Sequence, residues 1–409
     1  MESSERLPLG GYQVVELANW LAAPSAAAIL ADLGADVIKV EPPDGDPWRW
    51  FQLSSLGHDT ASKSASNDAF TMDNRGKRSV TLDLTNAEAR RVLLQLVRRA
   101  DVLLTNWLPQ RLERHGLDYR SVQRENSKIV YAMVTGYGTR GPDANRLGFD
   151  YAAFWARSGI MGLLGEPNGP PVLQRGGMGD HTSSLALTTA VLSALLHRER
   201  TGQGQRVEAS LLGTALWVLG VDLSAALKTG VQPRKPTHEE PVNPIWNAYR
   251  TSEGRWILLV MPVYERYWPR VARAIGREDL RNDERFITLA SAASHSQELV
   301  KVLIDAFQRR TLAEWAVQLD ECEVVWAPVQ LLPEVIQDEQ LQEMEYLTTY
   351  IDAAGEPRVT VASPFALDLA GLNLRGPAPE LGQHTEEVLL ERGYGWAEIG
   401  DLRNSGALG

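Results

Sequence analysis

The amino-acid sequence predicts an α/β fold built on a mostly parallel sheet. Short β-rich runs alternate with helix-like runs through the first half of the chain. Gly or Pro residues follow several of these runs, as they do at the ends of strands and helices. The 409 residues are 44% hydrophobic, which suffices for a large core divided between two domains.

The first βαβ unit occupies residues 12–41. YQVVEL (12–17) has the composition of a short strand, SAAAILADLG (25–34) that of a helix ending at its glycine, and DVIKVE (36–41) that of a second strand. The alternation then recurs, with strands predicted at 79–84, 101–106 and 128–138 and helices at 86–100 and near 109–115. Helical crossovers between such strands produce parallel pairing with both faces of the sheet covered.

The alternation changes from about residue 215. Residues 228–244 are rich in Pro and in charge, so we expect an exposed linker or loop there. Residues 246–262 predict a β-hairpin that turns at Glu253–Gly254, followed by helices to about residue 320 in a smaller α+β domain. The residues alone leave open which domain the last segments join.

Charge and composition disfavour several classes of protein. The formal net charge of −11 and the pI near 5.3 argue against nucleic-acid and anionic-membrane surfaces. Cys322 is the single cysteine, so neither an intrachain disulfide nor a thiolate metal cage can form, and a cytoplasmic location is expected. The opening residues lack the basic and apolar regions of a signal peptide. The most apolar run, Leu185 to Leu196, is shorter than the roughly 20 residues of a membrane span, so we expect a core helix and no membrane association.

Several common cofactor and nucleophile motifs are missing. The turn after the first predicted strand, ANWLAAPSAA (18–27), contains no glycine, whereas a dinucleotide-binding fold carries Gly-x-Gly-x-x-Gly there. The chain also lacks a Gly-Lys-Ser/Thr phosphate loop, a Gly-x-Ser-x-Gly turn and a His-Glu-x-x-His pair. Its seven histidines are too scattered to indicate a metal site, so we expect no metal and no nicotinamide chemistry.

One carboxylate stands out in the run GGMGDHTSSLALTTAVLSALLHRERTGQGQ (176–205). Asp180 lies in a glycine-rich turn just before a predicted helix over 181–196. The glycines at 176, 177 and 179 would let a bulky ligand approach the backbone, and the N–H groups at the helix start can hold an anion. Asp is equally a favoured N-cap residue, worth about 1 kcal/mol. The residues alone leave both roles open.

Several long motifs, in order, resemble the class III coenzyme A-transferase family, and the resemblance covers essentially the whole chain. The family contains formyl-CoA transferase, carnitine CoA-transferase and the related 2-methylacyl-CoA racemases. The motifs are LADLGADVIKVEPPDGDPWR (30–49), NRGKRSVTLDL (74–84), the NW of 106–107 with LERHGLDY (112–119), GDHTSSLALTTAVLSALLHRERTGQGQRVEASLL (179–212), APVQ (327–330) and LGQHTEEVL (381–389).

The resemblance implies an architecture and a set of partners. It implies a Rossmann-like large domain formed by residues 1–224 together with a returning C-terminal segment, 331–409. A small α+β domain is inserted at about 225–330. Two subunits are expected to thread through each other as an interlocked-ring homodimer. The implied ligands are coenzyme A, bound as an acyl-CoA substrate, and a small carboxylic acid, with no metal.

The resemblance also assigns a catalytic role to Asp180. In the family's transferases this carboxylate attacks an acyl-CoA thioester to give a mixed anhydride and free CoA thiolate. The thiolate then attacks the aspartyl carbonyl, leaving an aspartyl-CoA thioester that the acceptor acid resolves in reverse. Backbone N–H groups near Gly177 to Gly179 are candidates for stabilising the oxyanions.

The resemblance places four residues near CoA. Trp107 and Arg114 correspond to contacts with the adenine and the phosphates, and Lys77 lies in the motif near the same nucleotide end. Trp20 falls in the turn against which the family packs CoA. Cations suit phosphates and an aromatic face suits adenine. The same residues are equally compatible with ordinary structural roles, with Lys77 and Arg114 as solvated surface charges and Trp107 as a core residue. The chain departs from some relatives at Pro42, where they carry a CoA-contacting Arg.

Two alternatives remain within this resemblance. A 2-methylacyl-CoA racemase would need a His in residues 146–159 opposite the Asp, but Phe149 and Asp150 stand there, and a Phe side chain cannot transfer a proton. A CoA-binding protein without activity is disfavoured by the intact Asp180. The acceptor acid is not specified: Trp155 and Arg157 are as compatible with a structural role as with an acid-binding one. No glycine-rich loop like that of formyl-CoA transferase is found between residues 225 and 260.

Overall fold

The computed structural model describes residues 7–52, 68–352, 354–368, 372 and 376–409. The chain divides into two compact units. The described parts of Met1–Gly162, Leu173–Gly230 and Met344–Gly409 form the large unit, and Leu163–Val172 with Val231–Glu343 form the small unit. The first six residues, on which the expectation about a signal peptide partly depends, lie outside the described residues.

Strands and helices alternate through the first half of the chain. In order they are β1 (Gln13–Leu17), α1 (Ala22–Asp32), β2 (Asp36–Glu41), α2 (Asp68–Asn74), β3 (Arg78–Thr81), α3 (Ala87–Arg99), β4 (Val102–Thr105), α4 (Pro109–Arg114), α5 (Tyr119–Glu125) and β5 (Val130–Thr135). There follow a π-helical segment (Tyr151–Ala156), α6 (Ile160–Leu163), α7 (Met178–Thr201), β6 (Arg206–Ser210), α8 (Leu211–Val218) and α9 (Gly220–Thr229). The five strands predicted between residues 12 and 138 are confirmed.

Strands β1 to β6 form one parallel sheet of the large unit, in the order β3-β2-β1-β4-β5-β6, where β6 is Arg206–Ser210. β4 and β5 are buried at every residue, as expected for strands covered on both faces. The α/β prediction is therefore confirmed. The chain builds outward from β1 in one direction and from β4 in the other, so the strand order reverses between these two strands. Ligands bind parallel sheets at such a point, beyond the carboxyl ends of the strands.

Two helices bring the glycine-rich turn to that end of the sheet. α1 is buried at every residue and is rich in alanine, which lets the 24-residue α7 pack closely against it. α7 in turn contacts β5 and β6. The N-terminus of α7 is thereby fixed by packing along much of the helix.

The small unit contains an antiparallel sheet and a helical layer. Its elements are β7 (Ala248–Arg250), β8 (Trp256–Leu259), α10 (Tyr264–Ala274), α11 (Leu289–Ser294), α12 (Ser296–Phe307), α13 (Leu312–Glu321), β9 (Trp326–Pro328), α14 (Leu332–Ile336) and α15 (Glu339–Glu343). β8 pairs with both other strands. The predicted hairpin between β7 and β8 is confirmed, and Gly254 in its turn has a φ of +84° that favours glycine. Phe307 stacks on Tyr249 at 5.2 Å in the core of this unit.

The last segment of the chain joins the large unit. It contains β10 (Leu347–Ile351), β11 (Pro357–Val361), α16 (Thr385–Glu391) and α17 (Trp396–Asn404). The N–H of Asp83, just after β3, donates to the carbonyl of Ala407 at 3.0 Å. The N–H of Thr81 donates to the Thr385 hydroxyl at 3.2 Å. The sequence alone had left this placement open.

No single helix among the described residues is both long and apolar enough to cross a bilayer. α8 and α9, which are bent by 80° relative to each other, satisfy the length and composition criteria only when they are counted together.

Candidate active site

A cavity of about 280 Å³, here called the main cavity, opens beyond the carboxyl ends of β1, β4 and β5. It therefore lies where the strand order reverses. Its lining comes from residues 19–22, 106–108, 111, 134–136, 147–149, 180 and 211. A second cavity of about 100 Å³, the side cavity, extends along the ends of β1, β2 and β3 and shares Asn19, Trp107 and Arg111 with the main one.

Asp180 lines the main cavity from the first turn of α7. The helix begins earlier than the sequence suggested, because Gly177 is its N-cap, with a φ of +86° that favours glycine, and Met178 is its first residue. The N-cap interpretation of Asp180 is therefore wrong. Its carboxylate makes no hydrogen bond or ion pair with any other residue that the structure describes. An unpaired carboxylate facing a cavity is available to a ligand.

The pKa of Asp180 is raised to about 7. Burial is the largest cause, and the nearby Asp150 carboxylate raises the pKa further, whereas His181 lowers it. At neutral pH the Asp180 carboxyl group is thus poised between its two protonation states. Strong perturbation of a cavity-lining carboxyl group is typical of a catalytic site.

A second carboxylate, Asp150, holds the backbone around Asp180. Its Oδ2 accepts the N–H of Gly177 at 2.8 Å and the N–H of Gly179 at 3.3 Å. Of the N–H groups near Gly177 to Gly179 that the sequence suggested as donors to an oxyanion, those of Gly177 and Gly179 donate to Asp150 in this structure. A Cβ on Gly179 would lie 2.4 Å from Cγ of Phe154, so this glycine is needed for packing rather than for ligand approach. Asp150 Oδ1 has no hydrogen-bond partner among the described residues, and burial raises the pKa of Asp150.

His181, the neighbour of Asp180, is oriented by a buried carboxylate. Its Nε2 lies 3.0 Å from Oδ1 of Asp73, which also accepts the Ser25 hydroxyl at 2.7 Å, while Asp73 Oδ2 accepts the Trp48 indole N–H at 3.0 Å. Burial works to lower the pKa of His181, but Asp73 and Asp180 outweigh it and the pKa is raised. The site thus places beside Asp180 an imidazole whose pKa is raised above its ordinary value by the neighbouring carboxylates.

Trp20 lies where the sequence resemblance expects a CoA contact, in the wall of the main cavity. Its φ of +67° is uncommon for a residue with a side chain. Its N–H donates to Asp46 Oδ1 at 3.0 Å, and Asp46 Oδ2 lies 2.9 Å from the buried Lys39 ammonium. The Trp20 ring meets Phe149 edge-on at 5.6 Å between centroids. A buried ion pair therefore fixes the backbone of this aromatic wall.

Trp107 and Arg111 form the boundary between the two cavities. Trp107 is nearly buried, and the Arg111 guanidinium lies 3.4 Å from the centroid of its ring. Arg114, the cation expected from the sequence, is exposed on the same helix and lines neither cavity. Arg111 was missed, because Trp107 precedes α4 and the contact depends on how the chain enters that helix, which the sequence pattern does not show.

Lys77 is turned into the protein. Its ammonium lies 2.7 Å from Oε2 of Glu16 and donates to the carbonyl oxygens of Pro24 and Asp73, both at 2.8 Å. Burial lowers the pKa of Lys77 to about 8. The structure does not bring Lys77 to either cavity, because these internal acceptors satisfy its charge.

The remaining candidate residues lie away from the main cavity. Trp155 is buried, and Arg157 pairs with Asp143 at 3.0 Å. Pro42 lines the side cavity. In the described part of the chain, no group of three or more His, Cys, Asp or Glu side chains could hold a metal ion.

Comparison with known proteins identifies the family of this chain. The family model described as CoA-transferase family III matches residues 9–385. The chain is 32% identical over 397 residues to (R)-2-hydroxy-4-methylpentanoate CoA-transferase of Clostridioides difficile, covering 97% of this chain and 98% of that one. It is 33% identical over 404 residues to cinnamoyl-CoA:phenyllactate CoA-transferase of Clostridium sporogenes, covering 98% and 97%. A CAIB/BAIF family protein from Brucella suis superposes with a TM-score of 0.83 at 30% identity, covering 94% and 99%. The chain is a member of CoA-transferase family III.

Proposed function

We propose that this enzyme transfers CoA from an acyl-CoA thioester to a carboxylic acid and that Asp180 is its nucleophile. The observation that carries the proposal is an unpaired carboxylate with a raised pKa in the wall of the cavity at the strand-order reversal. A general base is not needed, because a carboxylate attacks in its ionised form.

The reaction consists of exchanges at three carbonyl carbons: those of the donor acyl group, of Asp180 and of the acceptor acyl group. An Asp180 oxygen attacks the thioester carbonyl, the carbon–sulfur bond breaks, and CoA leaves as a thiolate from a mixed anhydride. The thiolate attacks Cγ of Asp180, the anhydride carbon–oxygen bond breaks, and the donor acid leaves as a carboxylate. The acceptor carboxylate then attacks the aspartyl-CoA thioester, and the same two steps in reverse release the new acyl-CoA. One thioester replaces another, so no external energy source is required.

The neighbours of Asp180 tune this carboxylate. The imidazole of His181, held by Asp73, favours the ionised form of Asp180 that attacks. Asp150 opposes ionisation but fixes the turn through Gly177 and Gly179. A carboxylate whose pKa is near the working pH combines a large ionised fraction with higher basicity than an ordinary aspartate.

We infer that CoA extends from the main cavity toward the side cavity. Trp20 lines the main cavity, and Trp107 with its stacked Arg111 lies where the two cavities meet, an arrangement suited to an adenine ring and phosphates. Arg114 is exposed on α4 and lines neither cavity, so its contact with the CoA phosphates stays a prediction from the family resemblance. Lys77 would contribute to CoA binding without contacting CoA, because its ion pair with Glu16 helps to hold the end of β1 that precedes the cavity wall.

The names of two relatives suggest the kind of acid. One acts on (R)-2-hydroxy-4-methylpentanoate and another on phenyllactate with cinnamoyl-CoA as donor. We propose a small carboxylic acid of this general size as the acceptor for this chain.

We further propose a cytoplasmic homodimer with interlocked subunits. Along α8 and α9 the apolar side chains of Trp217, Val221 and Leu227 are 86%, 87% and 80% exposed in the single chain. Apolar surface of this extent is usually covered by a partner. Analytical ultracentrifugation tests the proposal: interlocked chains remain dimeric at all concentrations at which they are folded, and reversible dissociation into folded monomers would contradict the interlocked arrangement.

Peptide mass spectrometry tests the nucleophile. Incubation with an acyl-CoA donor alone should leave acyl or CoA mass on the peptide that contains Asp180, and hydroxylamine should convert that residue to a hydroxamate. Asp180→Ala should abolish the label and the CoA transfer while the protein remains dimeric. Transfer at the wild-type rate by Asp180→Ala, or a label on Asp150 or Glu166 instead, would refute the assignment. Deuterium exchange at the acyl α-carbon during turnover in heavy water would indicate racemase chemistry.

A further inference from the structure

The wall of the main cavity near Asp180 is aromatic and branched apolar. Trp20, Leu147, Phe149 and Leu211 all contribute to it. In the single chain Leu147 is 76% exposed and Phe149 is 55% exposed. Both line the same cavity as Asp180, and apolar side chains that line a cavity beside a reactive carboxylate indicate the place of an apolar part of a ligand.

The aromatic part of this wall is preformed. The backbone of Trp20 is held by Asp46, and its ring packs edge-on against both Phe149, at 5.6 Å, and Phe51, at 5.8 Å. Phe51 in turn lies 5.2 Å from the buried Trp48. Because the rings support one another, little conformational freedom is lost when a ligand packs against them.

Positive charge is scarce on the same wall. Among the described residues that line the main cavity, Arg111 is the single Lys or Arg, and it stacks on Trp107 at the boundary with the side cavity. The imidazole of His181 is held by Asp73 and is not part of the cavity lining. A second carboxylate on the acyl group would lie near Asp180 without a counter-ion, at a substantial electrostatic cost.

We propose, on the basis of the transferase function proposed above, that the acyl group exchanged at Asp180 is bulky and uncharged. It belongs to the arylalkanoyl or branched alkanoyl class, not to the dicarboxylic class. Its ring or branch packs against Trp20 and Phe149 while the thioester carbonyl meets Asp180. The pantetheine arm passes Arg111 toward the side cavity.

Isotope exchange within single acyl classes tests the proposal. The full-length protein is mixed with an acyl-CoA and the matching ¹³C-labelled free acid, and label in the CoA ester is followed by mass spectrometry. The pairs are 3-phenylpropanoyl, 4-methylpentanoyl, acetyl and succinyl. We expect kcat/KM for the first two to exceed that for acetyl and succinyl roughly 100-fold, because only they bury a large apolar group.

The outcomes separate this inference from the transferase function. Succinyl or acetyl exchange as fast as 3-phenylpropanoyl exchange would overturn the inference and leave the transferase function intact. Absence of exchange with every pair would instead refute the transferase function and the inference with it.

Charge placed on the wall gives a second test. Leu147→Arg and Phe149→Arg should each slow 3-phenylpropanoyl exchange at least tenfold and raise the succinyl-to-phenylpropanoyl ratio of kcat/KM. The matched control is Leu332→Arg on α14, because Leu332 has the same 76% exposure as Leu147 but does not line the main cavity. An unchanged ratio in the two wall variants, or an equal change in the control, would overturn the proposal. If a wall variant does not fold, the isotope-exchange series on the unsubstituted protein still tests which acyl class the enzyme prefers.

Discussion

Replacing the proposed nucleophile should make the protein more stable. Burial and the neighbouring carboxylate hold the pKa of Asp180 at about 7, against an ordinary value of 3.8. At 1.36 kcal/mol per pH unit this difference amounts to about 4 kcal/mol of unfavourable free energy in the folded state once the group is ionised. Since Asp180 keeps partial contact with solvent, we expect Asp180→Asn to raise the free energy of unfolding by about 2–4 kcal/mol at pH 8.

The size of the stability gain from Asp180→Asn depends on pH in a way that identifies its cause. The folded-state pKa is raised, so the unfolded chain ionises first and stability is lost between about pH 4 and pH 7. The gain from Asp180→Asn is therefore small at pH 4 and complete above pH 7. For a chain of 409 residues, 2–4 kcal/mol corresponds to a rise in Tm of roughly 2–5 °C.

Calorimetry or fluorescence melting at pH 4 and pH 8 measures this difference. Asp283→Asn is the control of opposite sign, because hydrogen bonding to Arg285 lowers the pKa of Asp283 to about 2, and its loss should decrease Tm at pH 8. The reasoning is refuted if Asp180→Asn gives no gain at pH 8 or an equal gain at both pH values.

Three further predictions concern activity. Asp150→Asn should move the acidic limb of the kcat/KM profile to lower pH, because the Asp150 charge raises the pKa of Asp180; an unchanged limb in the pH–rate profile would contradict this coupling. His181→Asn should move the same limb to higher pH, because the imidazole lowers that pKa, and a shift in the other direction would exclude this role. Arg111→Gln should raise KM for acyl-CoA about tenfold in steady-state kinetics, with kcat nearly unchanged. The control is Arg91→Gln, which should leave KM unaltered because Arg91 is exposed and lies outside both cavities.

The sheet was predictable from the sequence because its signal is local. Each strand of residues 12–138 is a short apolar run whose limits are visible in the adjacent residues. The helices between the strands require parallel pairing. The beginning of α7 was less predictable. Gly177 adopts a positive φ and starts the helix at Met178, whereas the apolar periodicity becomes visible only farther along the chain.

The site could be predicted only in part, because several of its contacts join distant segments. Asp180 was found through its motif, but its perturbation depends on Asp150, thirty residues earlier in the sequence, and on a fold that buries both groups. The sequence around Lys77 is typical of a surface cation, whereas in the structure Lys77 is buried and forms an ion pair with Glu16 of β1. Arg111 and Arg114 are equivalent by composition, and the orientation of α4 determines which one meets Trp107.

The position of the last segment has a consequence for the order in which the protein folds during synthesis. The free edge of β3 is completed by residues that the ribosome adds after the whole small unit, since the N–H groups of Thr81 and Asp83 bond to Thr385 and Ala407. A nascent chain lacking this segment would expose an unpaired strand edge, which favours association with other chains. We therefore expect the large unit to be completed only after the small unit has been synthesised, even though strand β1 precedes the small unit in the chain.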